Sequence, residues 1–191
     1  MSATAPRLLT AAVLAAGAAL VLPAPASAAP KPCAVGTWKL TEFRFSAKAP
    51  GIEATATGGE DTRLTIAKKS VAYDFAHTRQ VITKGRDNDG EITLVSTYKK
   101  RVTFKSTFTG TKKGALSLQP RSATGSATVS NTYNGRHLNG HKLAAHYRQG
   151  NVDFLIPVRP SYTCTSKTLT LTAKTPGTLG IGTVKAHYKR V

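Results

Sequence analysis

Two-residue alternation across residues 98–108 constrains this chain more than any other feature. Tyr98, Lys100, Val102, Phe104, Ser106 and Phe108 fall on one side, and Lys99, Arg101, Thr103, Lys105 and Thr107 on the other. Successive side chains of a strand point to opposite faces, so the run reads as one strand with an apolar and a cationic face. Val71, Tyr73, Phe75 and His77 alternate with Ala72, Asp74 and Ala76 in the same way, and shorter alternations follow at Val152/Phe154/Ile156, Leu169/Leu171 and Val184/Ala186/Tyr188. Turn signals fall at Asn88-Asp89-Gly90, residues 110–114, Asn134-Gly135, Asn139-Gly140, Gln149-Gly150-Asn151 and Pro176-Gly177. No long stretch spaces its apolar residues three and four apart. The chain therefore reads as all-β: an antiparallel meander of about eight to ten strands, closed as an up-and-down β-barrel or folded as a sandwich.

The first residues set the compartment. Arg7 is followed by an apolar run over residues 8–22, then Pro23, Pro25 and Ala26-Ser27-Ala28, the pattern of a signal peptide over residues 1–28. The run is shorter than the roughly 20 apolar residues a spanning helix needs, and prolines end it. Cys33 follows Pro30-Lys31-Pro32 rather than the Leu and small residues of a lipobox. A secreted, extracellular chain with one domain over residues 29–191 is expected, and its two cysteines, Cys33 and Cys164, favour pairing there.

Lys and Arg number 27 against 9 Asp and Glu, a formal net charge of +18, and several cations are adjacent: Lys68-Lys69, Lys99-Lys100-Arg101, Lys112-Lys113 and Lys189-Arg190. Such a surface attracts anionic envelope polymers, glycans, DNA or lipid headgroups, or simply keeps the protein in solution. Specific nucleic-acid recognition would want aromatic rings exposed among the charges, and Tyr98 and Phe104 face inward by parity.

Catalytic and metal signatures are wanting. His137 and His141 have the spacing of a helical metal pair, but Asn139-Gly140 between them argues for a turn, and no cysteine or carboxylate joins them. His146 and His187 fall on outward faces. Glu60-Asp61 and the acids of residues 87–91 look like turn formers rather than a hydrolytic pair. No Gly-x-Ser-x-Gly elbow occurs. No catalytic residue, metal or cofactor is expected, and the protein reads as a non-enzyme.

Gly36-Thr37-Trp38 resembles the Gly-x-Trp of the first barrel strand in the lipocalin and calycin group, and residues 35–40 are similar to the opening of intracellular fatty-acid-binding proteins. The Gly-rich Thr57-Gly58-Gly59 and the terminal Tyr162-Thr163-Cys164 resemble secreted bacterial lipocalin-like proteins. The resemblance implies that Trp38 closes the barrel floor and that Arg190, in phase with Tyr188 and Val184, packs over its indole as a cation on a π face. It departs from fatty-acid-binding proteins where Pro50-Gly51 follows the first strand with no helical lid, and where Ala186 stands two places before Tyr188, so their carboxylate grip is not carried over. Immunoglobulin-like domains share Cys, Trp and Tyr-x-Cys, but at other spacings.

The resemblance implies a monomeric binding protein that holds a small apolar or amphipathic ligand in the barrel. Tyr73, Phe75, Tyr98 and Phe104 would line it, and Lys100, inward by strand parity, would hold an anionic headgroup. Two alternatives stay open. The strand starts one residue later and leaves Lys100 in a turn, or the aromatic side chains fill the barrel, since eight strands enclose little more than side chains. In the second case the protein is a cationic binder of envelope or extracellular polyanions, including lipid headgroups, that works from its outer surface.

Overall fold

Alternation produces the expected strands, and the breaks in alternation shape them into a barrel. A computed structural model describes residues 32–50, 52–87, 90–177 and 180–191. The expected signal peptide and the Asn88-Asp89 part of one expected turn lie outside them. The chain runs through β1 (Gly36–Ala49), β2 (Ile52–Gly58), β3 (Arg63–Ile66), β4 (Ser70–Asp74), β5 (Val81–Asp87), β6 (Gly90–Lys99), β7 (Arg101–Phe108) and β8 (Lys113–Leu118). A 3₁₀ turn, Pro120–Ser122, leads to β9 (Thr124–Gly125), β10 (Thr128–Tyr133), β11 (Arg136–Lys142) and the helix α1 (Leu143–Arg148). Strands β12 (Ser161–Cys164), β13 (Thr168–Gly177) and β14 (Gly180–Arg190) complete it.

Eight of these strands close into an antiparallel barrel in the order β1-β14-β13-β12-β8-β7-β4-β3, with β3 returning to β1. The fold is thus an all-β up-and-down barrel of the lipocalin-like kind, with further strands outside the ring. Long β1 serves both parts. Its first residues pair with β3, Gly36 to Lys39 against Ile66 to Arg63, and its last with β2, Arg44 to Ala49 against Thr57 to Ile52. From β2 a sheet β2-β5-β6-β10-β11 continues outward.

The alternating run at 98–108 is two strands rather than one. Lys100 takes a left-handed backbone (φ 64) between β6 and β7, and its carbonyl accepts from Phe75 N at 2.9 Å. This bend turns the chain from the outer sheet into the barrel, yet parity survives it: Tyr98, Val102, Phe104 and Ser106 are all buried.

Two expectations fail for local reasons. Residues 152–156 form no strand, only a bridge between Asp153 and Ile156, because α1 and its capping Gly150 (φ 88) deliver the chain as a loop folded onto the barrel. Leu143, Ala144 and Tyr147 are the buried residues of α1, a helical pattern too short to recognise in sequence. Asn139-Gly140 is not a turn but part of β11, at a slip of register opposite Val129 and Asn131. A Cβ on Gly140 would sit only 2.7 Å from the Val129 carbonyl, so the bare glycine permits this pairing. The other turns at 110–114 and Asn134-Gly135 connect hairpins β7–β8 and β10–β11.

Candidate functional site

The closed end of the barrel is built around Trp38. Its indole is fully buried, and Nε1 donates to Ala34 O at 2.7 Å. Arg190, paired in register with Trp38 across β1 and β14, places Cζ 4.1 Å from the ring centroid. Its Nη2 donates to Cys33 O at 2.7 Å, Nη1 to Val35 O at 3.2 Å and Nε to Ser166 O at 2.7 Å. Gly36 (φ +148) leaves the space the guanidinium occupies, which any Cβ would fill. Cys33 and Cys164 form a disulfide with Cα atoms 5.9 Å apart. Both flank the β7–β8 hairpin: Cys33 N donates to Thr111 O and Cys164 N to Lys112 O, each at 2.8 Å.

Above this floor the described aromatic side chains are packed against one another. Tyr73, Phe75, Tyr98 and Phe104, the expected ligand-lining residues, retain at most 3% of their surface. Phe75 lies 6.3 Å from Tyr73 and 5.2 Å from Tyr98 between ring centroids, and Phe104 meets Tyr147 edge-on at 4.9 Å. A side chain bordering a hollow wide enough for water would keep accessible surface, so these four belong to the core. Lys100 is exposed at its bend and does not join them.

The interior holds one ionisable node that sequence reasoning missed. Asp153, on the loop after α1, turns its carboxylate inward. Tyr98 Oη donates to Oδ2 at 2.9 Å and Leu155 N to Oδ1 at 2.8 Å. Burial pushes the Asp153 carboxyl up, against the opposing effect of these hydrogen bonds. Tyr147 Oη donates to Ile156 O at 2.7 Å, while the buried Tyr73 hydroxyl has no partner and burial pushes its pKa far up. Alternation placed Asp153 outward, and only the loop path reverses it.

The outer face contrasts with this interior. Across β14, β1, β3, β4 and β7 the register sets Lys189 opposite Lys39, Lys39 opposite Arg63, Arg63 opposite Asp74 and Asp74 opposite Arg101. Two rows away Lys185 stands opposite Arg44, with Glu42 opposite His187 in the row between. All the cations of both rows are exposed. Glu42 engages Arg44 at 2.6 Å and Asp61 engages Lys39 at 3.2 Å, whereas Lys185, Lys189, Arg63 and Arg101 have no carboxylate within 4 Å among the described residues. Exposed Thr168 and Thr172 of β13 flank Lys189 and Lys185 on the side away from β1. Like charges directly opposite on neighbouring strands destabilise a sheet, so this face is held against its own repulsion.

A groove of about 350 Å³ runs along the loop after α1, lined by Val152, Pro157, Val158 and Ala173, with Asp153, Arg159 and Lys174. His141 and His146 stack at 4.2 Å, and burial with the neighbouring His146 lowers the His141 pKa. His137 is exposed on β11 away from that stack, and no group of three metal-ligating side chains occurs among the described residues. No described helix is long and apolar enough to cross a membrane, and the disulfide is compatible with an extracellular location. Comparison with protein-family models, with curated proteins and with solved structures finds no match to this chain.

Proposed function

We propose that this is a secreted, non-enzymatic protein that binds linear polyanions of the cell envelope or extracellular matrix through the outer face of β14, β1, β3 and β7. The observation that carries this reading is the opposition of like charges, Lys189–Lys39–Arg63 and Arg44–Lys185, across hydrogen-bonded strands. Neighbouring strands lie about 4.8 Å apart, so a row of cations crosses the sheet at a spacing a polymer of phosphates or carboxylates can follow. A bound polyanion would convert each repulsive pair into a shared counter-ion site. The packed aromatic core supports a surface function over a central one.

The test is polyphosphate binding as a function of salt. If four cations each neutralise one phosphate, affinity should fall by roughly two orders of magnitude between about 50 and 200 mM salt. The combined variant Lys39→Gln, Arg44→Gln, Lys185→Gln, Lys189→Gln should flatten that dependence. An unchanged salt slope in the variant would end this reading.

A second reading, a small apolar or amphipathic ligand, is favoured by the Val152–Ala173 groove rather than by the barrel axis. Val152, Pro157, Val158 and Ala173 give it apolar walls, and Asp153, Arg159 and Lys174 line it alongside. Native mass spectrometry of the protein from its own culture medium tests it: an extractable extra mass supports a carried ligand, and a clean apo mass removes it.

A further inference from the structure

On the opposite side of Arg159 from that groove lies a larger hollow of about 500 Å³, between the 3₁₀ turn and the end of α1. Pro120, over the buried Leu118 and Tyr147, contributes apolar surface, and three arginines, Arg121, Arg148 and Arg159, surround it. Leu118 and Tyr147 are buried beneath Pro120, with the Tyr147 hydroxyl turned away to Ile156 O, so they back the hollow and Pro120 is its apolar surface.

The anchoring of Arg148 sets this cluster apart from ordinary solvated cations. Arg148 is fixed, its Nη1 donating to Ala123 O at 2.7 Å, which leaves its other N–H groups free to be aimed. None of the three arginines has a carboxylate within 4 Å among the described residues, as is also true of Lys185, Lys189, Arg63 and Arg101. Three carbonyls of the last turn of α1 accept backbone hydrogen bonds, which lessens their repulsion of an anion without removing it. Gln149 N donates to Ala145 O, Gly150 N to Tyr147 O and Asn151 N to His146 O, at 3.0 to 3.2 Å. Three like charges converge on one apolar-floored hollow with nothing of the protein's own to neutralise them.

We infer that this hollow is a binding site for a phosphate monoester, the dianionic phosphoryl group taken by Arg121, Arg148 and Arg159 and its small organic substituent lying on Pro120. Guanidinium suits this task because its planar fork meets two oxyanion oxygens at once, where an ammonium meets them as a point charge. Three guanidinium charges favour a dianion over a monoanion. The site is separate from the lysine-bearing outer face and stands whether or not that face binds polymers.

The probe is phenyl phosphate, titrated by calorimetry and followed by backbone amide shifts. Phenyl phosphate should bind one to one, tighter than inorganic phosphate because of the apolar floor and tighter than phenyl sulfate because of its second charge. Arg121→Gln combined with Arg159→Gln should weaken it about tenfold or more, and Arg121→Lys with Arg159→Lys should weaken it measurably although charge is kept. Arg148 is left in place because it anchors the Ala123 carbonyl. Lys39→Gln with Lys189→Gln should leave phenyl phosphate binding unchanged while lowering polyphosphate affinity, so failure of one site is not read as failure of the other. Shifts that map to β1 and β14 instead of residues 118–121 and 147–150, or equal affinity in the Arg121→Gln/Arg159→Gln variant, would overturn the assignment. So would binding of polyphosphate at these arginines with none of phenyl phosphate, because that would make them part of a polymer track.

Discussion

Arg190 lies flat over the indole of Trp38, its Cζ 4.1 Å from the ring centroid, while all three of its nitrogens donate to backbone carbonyls of two separate chain segments. One side chain thereby ties the start of β1 to the β12–β13 turn and covers the only tryptophan. A lysine would keep the charge over the ring but lose the fork that reaches Cys33, Val35 and Ser166 together. Arg190→Ala is expected to cost about 1–3 kcal/mol in urea unfolding, from the lost cation–π contact and charge-assisted hydrogen bonds at a partly exposed site. Arg190→Lys should recover less than half of that loss. Full recovery by lysine would show that charge over the ring is all that matters.

The disulfide closes the same end. Cys33 and Cys164 are separated by 131 positions, so the bond constrains nearly the whole described chain when it unfolds. The chain-entropy account gives about 4–5 kcal/mol for a loop of this length. Cys164→Ser, or reduction of the native protein, should lower the melting temperature by many degrees without changing the far-ultraviolet spectrum at room temperature, because the core of Trp38, Tyr162, Leu169 and Tyr188 persists. An unaltered melting temperature after confirmed reduction would remove the staple from the stability of the fold.

Period-two patterning made the barrel strands readable because each barrel strand has one face in the core and one in water. Val71 and Tyr73, Val102 and Phe104, Leu169 and Leu171, and Val184 to Tyr188 are placed as alternation predicts. What alternation does not carry is a change of direction. Lys100 has the parity of an inward residue, and only its left-handed backbone removes it from the interior. Asp153 suffers the converse, reading as outward within an apparent strand and turning inward because the chain there is a loop. The arginine hollow was invisible for another reason: Arg121, Arg148 and Arg159 come from a 3₁₀ turn, a helix end and a loop, and no local pattern links them.

The Asp153 carboxyl has its pKa raised in the folded protein, first by burial, with Tyr98 and the amide of Leu155 opposing. Folding therefore favours the protonated acid. The contribution to stability is greatest below the ordinary carboxylate pKa of about 3.9, declines as pH rises from there to the raised folded value, and is constant above it. Asp153→Asn, which keeps an acceptor for Tyr98, should remove this decline. In urea melts over that range, the variant's stability relative to the native protein should improve as pH rises and then level off. Tyr98→Phe should act oppositely, costing about 1–3 kcal/mol at neutral pH by stripping a donor from the half-buried carboxylate, and less in acid. A pH-independent gap between Asp153→Asn and the native protein would mean that the carboxyl does not titrate differently on folding.

Lys189 and Lys39 offer the test that separates stability from binding. They face each other across β14 and β1 with Thr168 on the far side of Lys189. Lys189→Thr replaces a repulsive cross-strand pair with a β-favouring residue beside a threonine, and should stabilise the protein by about 0.2–1 kcal/mol at low salt. High salt screens the repulsion and should shrink the gain. The same substitution should weaken polyphosphate binding and reduce its salt dependence by about one counter-ion. Greater stability together with weaker binding is the signature of a residue kept for a partner at the expense of the fold. If Lys189→Thr instead lowers stability, or leaves polyphosphate affinity untouched, the outer face is a solvated surface and the opposed lysines carry no binding role.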